Sequence, residues 1–287
     1  MLEVEAPPRV LCIGGTDPTG AAGLLLDQRT LAALGVYGAG VVTAVTVQTS
    51  REVSDVVLMP ASVVGAQIDA AIEELGPPTI KIGMLGSQDI VLAVAGRVKR
   101  LGSRSRVVLD PVLGSSSGRS LLAEDGRRAL IEQLVPLCAL VTPNIPEAEA
   151  LTGAPIADLD GMGRAADFLL AAGAAAVLIK GGHLDRDSAK VVDLLRTADG
   201  DQFLCERARV MGPGFRGSGC FLATAIAAFL AEGVPLAASV EGARSRLDIA
   251  MRQASAATPL ADRPLLLTPV PKDLPRASLL PPISVKS

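Results

Sequence analysis

With 287 residues, 49% of them hydrophobic, and a mean hydropathy of +0.42, the chain carries enough apolar material for one large core, which excludes disorder over most of its length. A net charge of −3, a pI near 5.4 and an aromatic complement of five Phe, one Tyr and no Trp leave neither the positive field nor the stacking platforms that nucleic-acid binding needs. The one histidine, His183, excludes a zinc site built on several histidines, and the four scattered cysteines, with no CxxC pair, are those of a reducing cytoplasm.

Met1-Leu-Glu-Val-Glu-Ala-Pro-Pro8 has no basic segment followed by an apolar stretch, so no signal peptide is expected. No uncharged apolar run reaches membrane-spanning length, and the expectation is a soluble protein. From there short apolar runs alternate with helical periodicity. Residues 9–13, 40–47, 79–82, 107–109, 139–142 and 176–180 read as buried parallel strands. Helices are expected over 23–34, 61–75, 87–101, 121–134 and 161–172, several ending at Gly or Pro. Such βαβ alternation predicts a mostly parallel sheet with helices on both faces. After Lys180 the pattern changes to a hairpin, 191–195 with 202–205, which would add antiparallel edge strands. A further strand is expected at 207–211, then helices at 219–231 and 236 to about 254. The expected organisation is one domain over residues 1–257 and a Pro-rich tail over 258–287, extended or disordered.

Chemistry concentrates in Gly212-Pro-Gly-Phe-Arg-Gly-Ser-Gly219, which leads into Cys220 and a helix of small residues. The amides at a helix start lack carbonyl partners and stand at the positive end of the helix dipole, so this turn is a candidate anion site with a thiol beside it. The P-loop pattern is absent, since Gly-Lys occurs nowhere. Gly212, Gly214 and Gly217 form a literal GxGxxG, but a second helix follows where a dinucleotide fold needs a strand, so the match is accidental.

Six segments appear in order: Ile13-Gly-Gly-Thr-Asp-Pro-Thr-Gly-Ala-Ala-Gly23, Lys81-Ile-Gly-Met-Leu85, Leu109-Asp-Pro-Val112, Val141-Thr-Pro-Asn-Ile-Pro-Glu-Ala-Glu149, Ile179-Lys-Gly-Gly-His183 and Gly217-Ser-Gly-Cys220. Together they resemble the hydroxymethylpyrimidine/phosphomethylpyrimidine kinases of thiamine biosynthesis, in the ribokinase-like superfamily, over residues 9 to about 250. The resemblance implies a three-layer α/β/α sandwich with a mostly parallel central sheet and antiparallel edge strands. It implies ATP and Mg²⁺ as cofactors, a small pyrimidine alcohol as substrate, and a homodimer.

Residue by residue, the resemblance makes Gly217, Ser218 and Gly219 the anion hole for the migrating phosphoryl group and Cys220 the base. A thiol at a helix N-terminus is expected to have a lowered pKa. Cys220 is equally a small buried hydrophobe when read from the residues alone. Lys180 and Asn144 match nucleotide-site positions, and Asp110 and Glu147 match metal positions; Asn144 and Glu147 also read as a helix cap and a first-turn acid. Gly15, Asp27, Gln48 and Met84 match positions lining the pyrimidine pocket. The bland reading makes Asp27 an exposed helix residue and Gln48 a polar strand end.

The chain departs from the family pattern at Leu25, Ser116 and Arg216, where Gln, a basic residue and His are usual. Arg216 could contact phosphate in compensation. Two rivals accompany the leading reading: a pyridoxal kinase, whose substrate also carries a ring hydroxymethyl group, and a catalytically degenerate binding or regulatory protein on the same scaffold.

Overall fold

The computed structural model describes residues 7–76, 78–115, 118–184, 187–212, 214–256 and 265–266. In chain order the elements that build the molecule are β1 (Arg9–Thr16), α1 (Gly23–Ala33), β2 (Tyr37–Gln48), β3 (Val53–Leu58), α2 (Ala61–Leu75), β4 (Thr79–Ile82), α3 (Gln88–Leu101), β5 (Val107–Leu109), α4 (Glu124–Ala129), β6 (Leu140–Val141), α5 (Ile145–Thr152), α6 (Leu159–Ala171), β7 (Ala176–Ile179), β8 (Lys190–Thr197), β9 (Gln202–Ala208), β10 (Phe215–Arg216), α7 (Ser218–Ala231), α8 (Leu236–Ala256) and β11 (Leu265–Leu266).

Nine strands pair in the order β3-β2-β1-β4-β5-β6-β7-β8-β9. Those from β2 to β7 run parallel, while the outer pairings, β2 with β3 at one end and β7 with β8 and β8 with β9 at the other, are antiparallel. Because successive strand side chains point to opposite faces, an unbroken apolar strand feeds two cores. Leu11 and Ile13 of β1 join Ile80, Ile82, Val107 and Leu109 under α2, α3 and α6. Val10 and Cys12, with Val108 and Leu178, face α1, α7 and α8 on the other side. The result is the three-layer α/β/α sandwich that the alternation implied. α7 is built from Ala223, Ala225, Ala227 and Ala228, all essentially without solvent contact, so it can lie close to α1, α8 and the sheet.

Several sequence expectations are corrected. β3 stands where no element was expected, and α5 is the helix that the cap reading of Asn144 and Glu147 allowed for. β3 faces solvent along most of its length, and Ser54 and Asp55 interrupt its apolar residues. α5 is only eight residues long and starts with Pro146 in its first turn. The helix expected over 121–134 begins at Glu124 and passes at Leu130–Leu134 into a π-helical segment. The strand expected at 207–211 ends with β9 at Ala208, and the strand that enters the glycine turn is β10. Of the tail, only β11 is described, paired in parallel with β10; the rest of 258–287 lies outside the described residues.

Candidate active site

In an open α/β sheet the crevice forms outside the carboxyl ends of the strands, where the chain order reverses. Here that point is β1, which has β2 on one side and β4 on the other. A cleft of about 740 Å³ opens there. Its floor is Gly14 and Gly15 at the end of β1, Gln48 at the end of β2, and Met84 just beyond β4. Gly15 packs closely on the methionine: a Cβ on it would stand 3.0 Å from Met84 Sδ. Met84 is in turn fixed by its carbonyl, which accepts a 2.6 Å hydrogen bond from Thr43 Oγ1.

Across the cleft stands the glycine turn. Gly217 has φ of +79°, and a Cβ on it would meet the Ala21 carbonyl oxygen at 2.0 Å, so no other residue fits. The first helical bond of α7 runs from Phe221 N to Gly217 O at 2.8 Å. The amides of Ser218, Gly219 and Cys220 precede it and face the cleft end of the helix. A Cβ on Gly219 would stand 3.1 Å from Lys180 Nζ and 3.5 Å from Asp110 Oδ2, so the turn abuts that ion pair directly.

Lys180 follows β7 and is bridged to Asn144. Its Nζ donates to Asp110 Oδ1 at 2.7 Å and stands 3.8 Å from Glu147 Oε2. Burial alone would pull its pKa down, but Asp110 and Glu147 outweigh it and the pKa goes up to about 12. Glu147 is pushed up to about 7, chiefly by burial and further by Asp110, against the opposing charge of Lys180. Asn144 and Glu147 are a capping box: Asn144 Oδ1 accepts from Glu147 N at 2.9 Å, and Asn144 N donates to Glu147 Oε2 at 2.8 Å. The cap and the cleft are compatible, because Glu147 Oε2 reaches both Asn144 N and the neighbourhood of Lys180.

A second groove, of about 500 Å³, shares Asn144, Lys180, Ser218 and Gly219 with the first and runs away on the other side of the turn. Val191, Leu222, Leu247 and Met251 give it apolar walls. Arg244 and Asp193, paired at 3.2 Å, give it a charged one. Sequence reasoning missed this groove, although Asp193 inside the apolar run of β8 is a signal: its Oδ1 accepts from Gly181 N at 2.9 Å and holds the loop after Lys180.

Eleven of the residues singled out from sequence therefore line one cleft: Gly15, Gln48, Met84, Asp110, Asn144, Glu147, Lys180, Gly217, Ser218, Gly219 and Cys220. Asp27 does not. It lies behind the wall, without solvent contact, in a 2.8 Å ion pair with Lys81 and a 2.7 Å hydrogen bond from Thr224 Oγ1. A carboxylate so enclosed has no surface to offer a ligand, and Lys81 is the partner that makes its burial tolerable. The expected low pKa of Cys220 is also corrected. Burial dominates and pushes the thiol up to about 11, with Lys81 and the Gly23 amide opposing and Asp27 and Asp110 reinforcing. Of the three family departures, Leu25 is largely exposed on α1, Ser116 lies outside the described residues, and Arg216 lines the cleft.

Two ligand spaces that meet at a helix-end anion site, with a lysine and two carboxylates at the junction, suit transfer of a phosphoryl group from a nucleotide to a small acceptor. The class with this sheet and this arrangement is the ribokinase-like kinases. Within that class the chain belongs to the phosphomethylpyrimidine kinase family, whose sequence model matches residues 17–261. It is 43% identical over 246 residues to the hydroxymethylpyrimidine/phosphomethylpyrimidine kinase of Rhizobium meliloti (strain 1021), covering 85% of this chain and 90% of that one. The crystal structure of phosphomethylpyrimidine kinase from Clostridium difficile 630 superposes with a TM-score of 0.73 at 34% identity, covering 85% and 99% of the two chains. The pyridoxal kinase of Staphylococcus aureus in complex with AMP-PCP and pyridoxal gives a TM-score of 0.80 at 29% identity, covering 92% and 93%.

Proposed function

We propose that the chain is an ATP- and Mg²⁺-dependent kinase that phosphorylates 4-amino-5-hydroxymethyl-2-methylpyrimidine, and then its monophosphate, for thiamine biosynthesis. The observation that carries this reading is the junction at Gly219, where the acceptor cleft and the second groove meet against the Lys180–Asp110 pair. ATP takes the second groove, with its terminal phosphate at the amides of residues 217–220 and at Lys180. Gln48 hydrogen-bonds the pyrimidine edge, while Gly15 and Met84 supply a flat apolar wall. The hydroxymethyl group then points at Cys220, which accepts its proton as the oxygen attacks the γ-phosphorus.

Among the described residues no group of three or more His, Cys, Asp or Glu side chains could enclose a metal ion. Asp110 and Glu147 nevertheless suit Mg²⁺, which binds through one or two carboxylates plus water and phosphate oxygens. The cation Lys180 Nζ already lies between these two carboxylates. When bound, the ion neutralises charge on the transferring phosphate. A cytoplasmic location accords with four scattered cysteines that form no CxxC pair; among the described residues no helix is long and apolar enough to cross a membrane. A homodimer accords with the half-exposed Tyr37, Val45, Val47 and Val57 on β2 and β3.

Steady-state assays with the pyrimidine alcohol, its monophosphate and pyridoxal test the reading. Turnover of the alcohol above that of pyridoxal is expected. The pyridoxal reading draws on the structural likeness to the Staphylococcus aureus enzyme, and equal or better turnover of pyridoxal would establish it instead.

A further inference from the structure

We infer that Arg216 is the residue that holds the phosphate of a phosphorylated acceptor, and so sets whether the cleft accepts a phosphate monoester as well as the free alcohol. This rests on the proposed function and adds a specificity residue to it. Arg216 is 7% exposed, yet it lines the acceptor cleft and not the second groove. Its Nη2 stands 3.0 Å from Asp17 Oδ2 as an ion pair. Its Nη1 is buried with no hydrogen-bond partner among the described residues.

A buried guanidinium nitrogen left unpaired is costly to the fold; Arg207 Nε and Arg244 Nε also lack a hydrogen-bond partner among the described residues, but of the three arginines only Arg216 lines the acceptor cleft, where a ligand atom can complete the set. Asp17 is itself held in place: Oδ1 accepts from both Thr19 N at 2.9 Å and Thr19 Oγ1 at 2.8 Å, while Oδ2, which has no hydrogen-bond partner among the described residues, is the atom ion-paired with the guanidinium in the cleft wall. Among the described residues two other cations line the cleft. Lys180 is engaged by Asp110, and Arg127 lies 3.4 Å from Glu124. A planar guanidinium fixed on one side is suited to a phosphate oxygen on the other. Its position separates donor from acceptor: a group lining only the acceptor cleft meets the acceptor's phosphate, whereas Lys180 lies at the junction and meets the donor's.

In the second transfer an oxygen of the monoester attacks the γ-phosphorus, the bond from that phosphorus to ADP breaks, and a diphosphate ester forms. No hydroxyl proton has to be removed, because a phosphate monoester has already lost its second proton near pH 6. Arg216 holds the monoester's remaining oxygens while this occurs.

The test compares kcat/KM for the pyrimidine alcohol and for its monophosphate in the parent chain, Arg216→Met and Arg216→Lys. Binding of the monophosphate without ATP is measured by calorimetry, and melting temperatures check the fold. Loss of a charge-assisted bond predicts a fall of roughly 10- to 100-fold in monophosphate affinity and kcat/KM for Arg216→Met, with less than threefold change for the alcohol. Arg216→Lys recovers part of the loss and serves alone if the methionine variant does not fold. Equal losses for both acceptors, or none for either, overturn the inference. Parent turnover of the alcohol with none of the monophosphate also overturns it while leaving an alcohol kinase standing; parent turnover of neither refutes the proposed function itself.

Discussion

Replacing Cys220 with Ala separates the two phosphorylations in a way that follows from the burial of the thiol. With its pKa pushed up to about 11, only about one thiol in a thousand is ionised at pH 8. If the thiolate takes the hydroxymethyl proton, alcohol turnover in the parent chain rises about tenfold per pH unit between pH 7 and 10. A positioned base contributes about 10²–10⁴-fold, or about 3–5 kcal/mol of barrier, so Cys220→Ala is expected to lose that much kcat on the alcohol with little change in KM. The monophosphate presents an oxygen with no proton above pH 7, so the same variant is expected to lose less than about threefold there. The assay is coupled ADP release at saturating ATP and Mg²⁺, with each acceptor, from pH 6.5 to 10. An alcohol profile that levels off below pH 9, a variant that keeps the parent's slope, or equal losses on both acceptors refutes the base assignment.

Three further outcomes are expected. Asp27→Asn leaves Lys81 buried without a counter-charge and is expected to cost about 3–5 kcal/mol, read as a lower melting temperature, with the pyrimidine KM of the folded fraction unchanged; a tenfold higher KM at full stability would return Asp27 to the pocket. Gln48→Ala is expected to raise the pyrimidine KM tenfold or more and leave kcat within about threefold, as steady-state kinetics at saturating ATP would show. Glu147, with its pKa raised from 4.5 to about 7, stabilises the fold fully below its unfolded value and loses that contribution as pH rises through 7. Glu147→Gln is therefore expected to melt above the parent at pH 8, with the gain shrinking toward pH 5. The parent's apparent Mg²⁺ affinity is expected to weaken from pH 8 to 6, and that of the variant to stay flat; calorimetric melting and Mg²⁺ titrations of turnover check both.

The sheet was legible in the sequence because its inner strands are apolar on both faces: residues 10–13 and 107–109 announce a buried strand without any tertiary knowledge. β3 was not, since Ser54 and Asp55 break its apolar residues and most of the strand faces water. The cleft residues were legible for a positional reason. Asp110, Lys180 and Gly217 stand where an element ends or begins, and element ends can be read from local sequence. What could not be read is pairing over distance. Lys81 on β4 meets Asp27 on α1, 54 positions away, and Arg216 on β10 meets Asp17 just after β1. The thiol of Cys220 shows the same boundary: the helix-end rule is local and lowers its pKa, whereas the burial that prevails is assembled by the fold.

The pairing of Leu265–Leu266 with Phe215–Arg216 has a practical consequence. The late residues of the polypeptide are stitched alongside the two that immediately precede Gly217. Cutting the protein after Ala256, a natural place to trim for crystallisation, would strip the inter-strand bonds from that stretch. An expression design that ends there changes the scaffold holding Arg216 and cannot stand in for the intact chain in kinetic work.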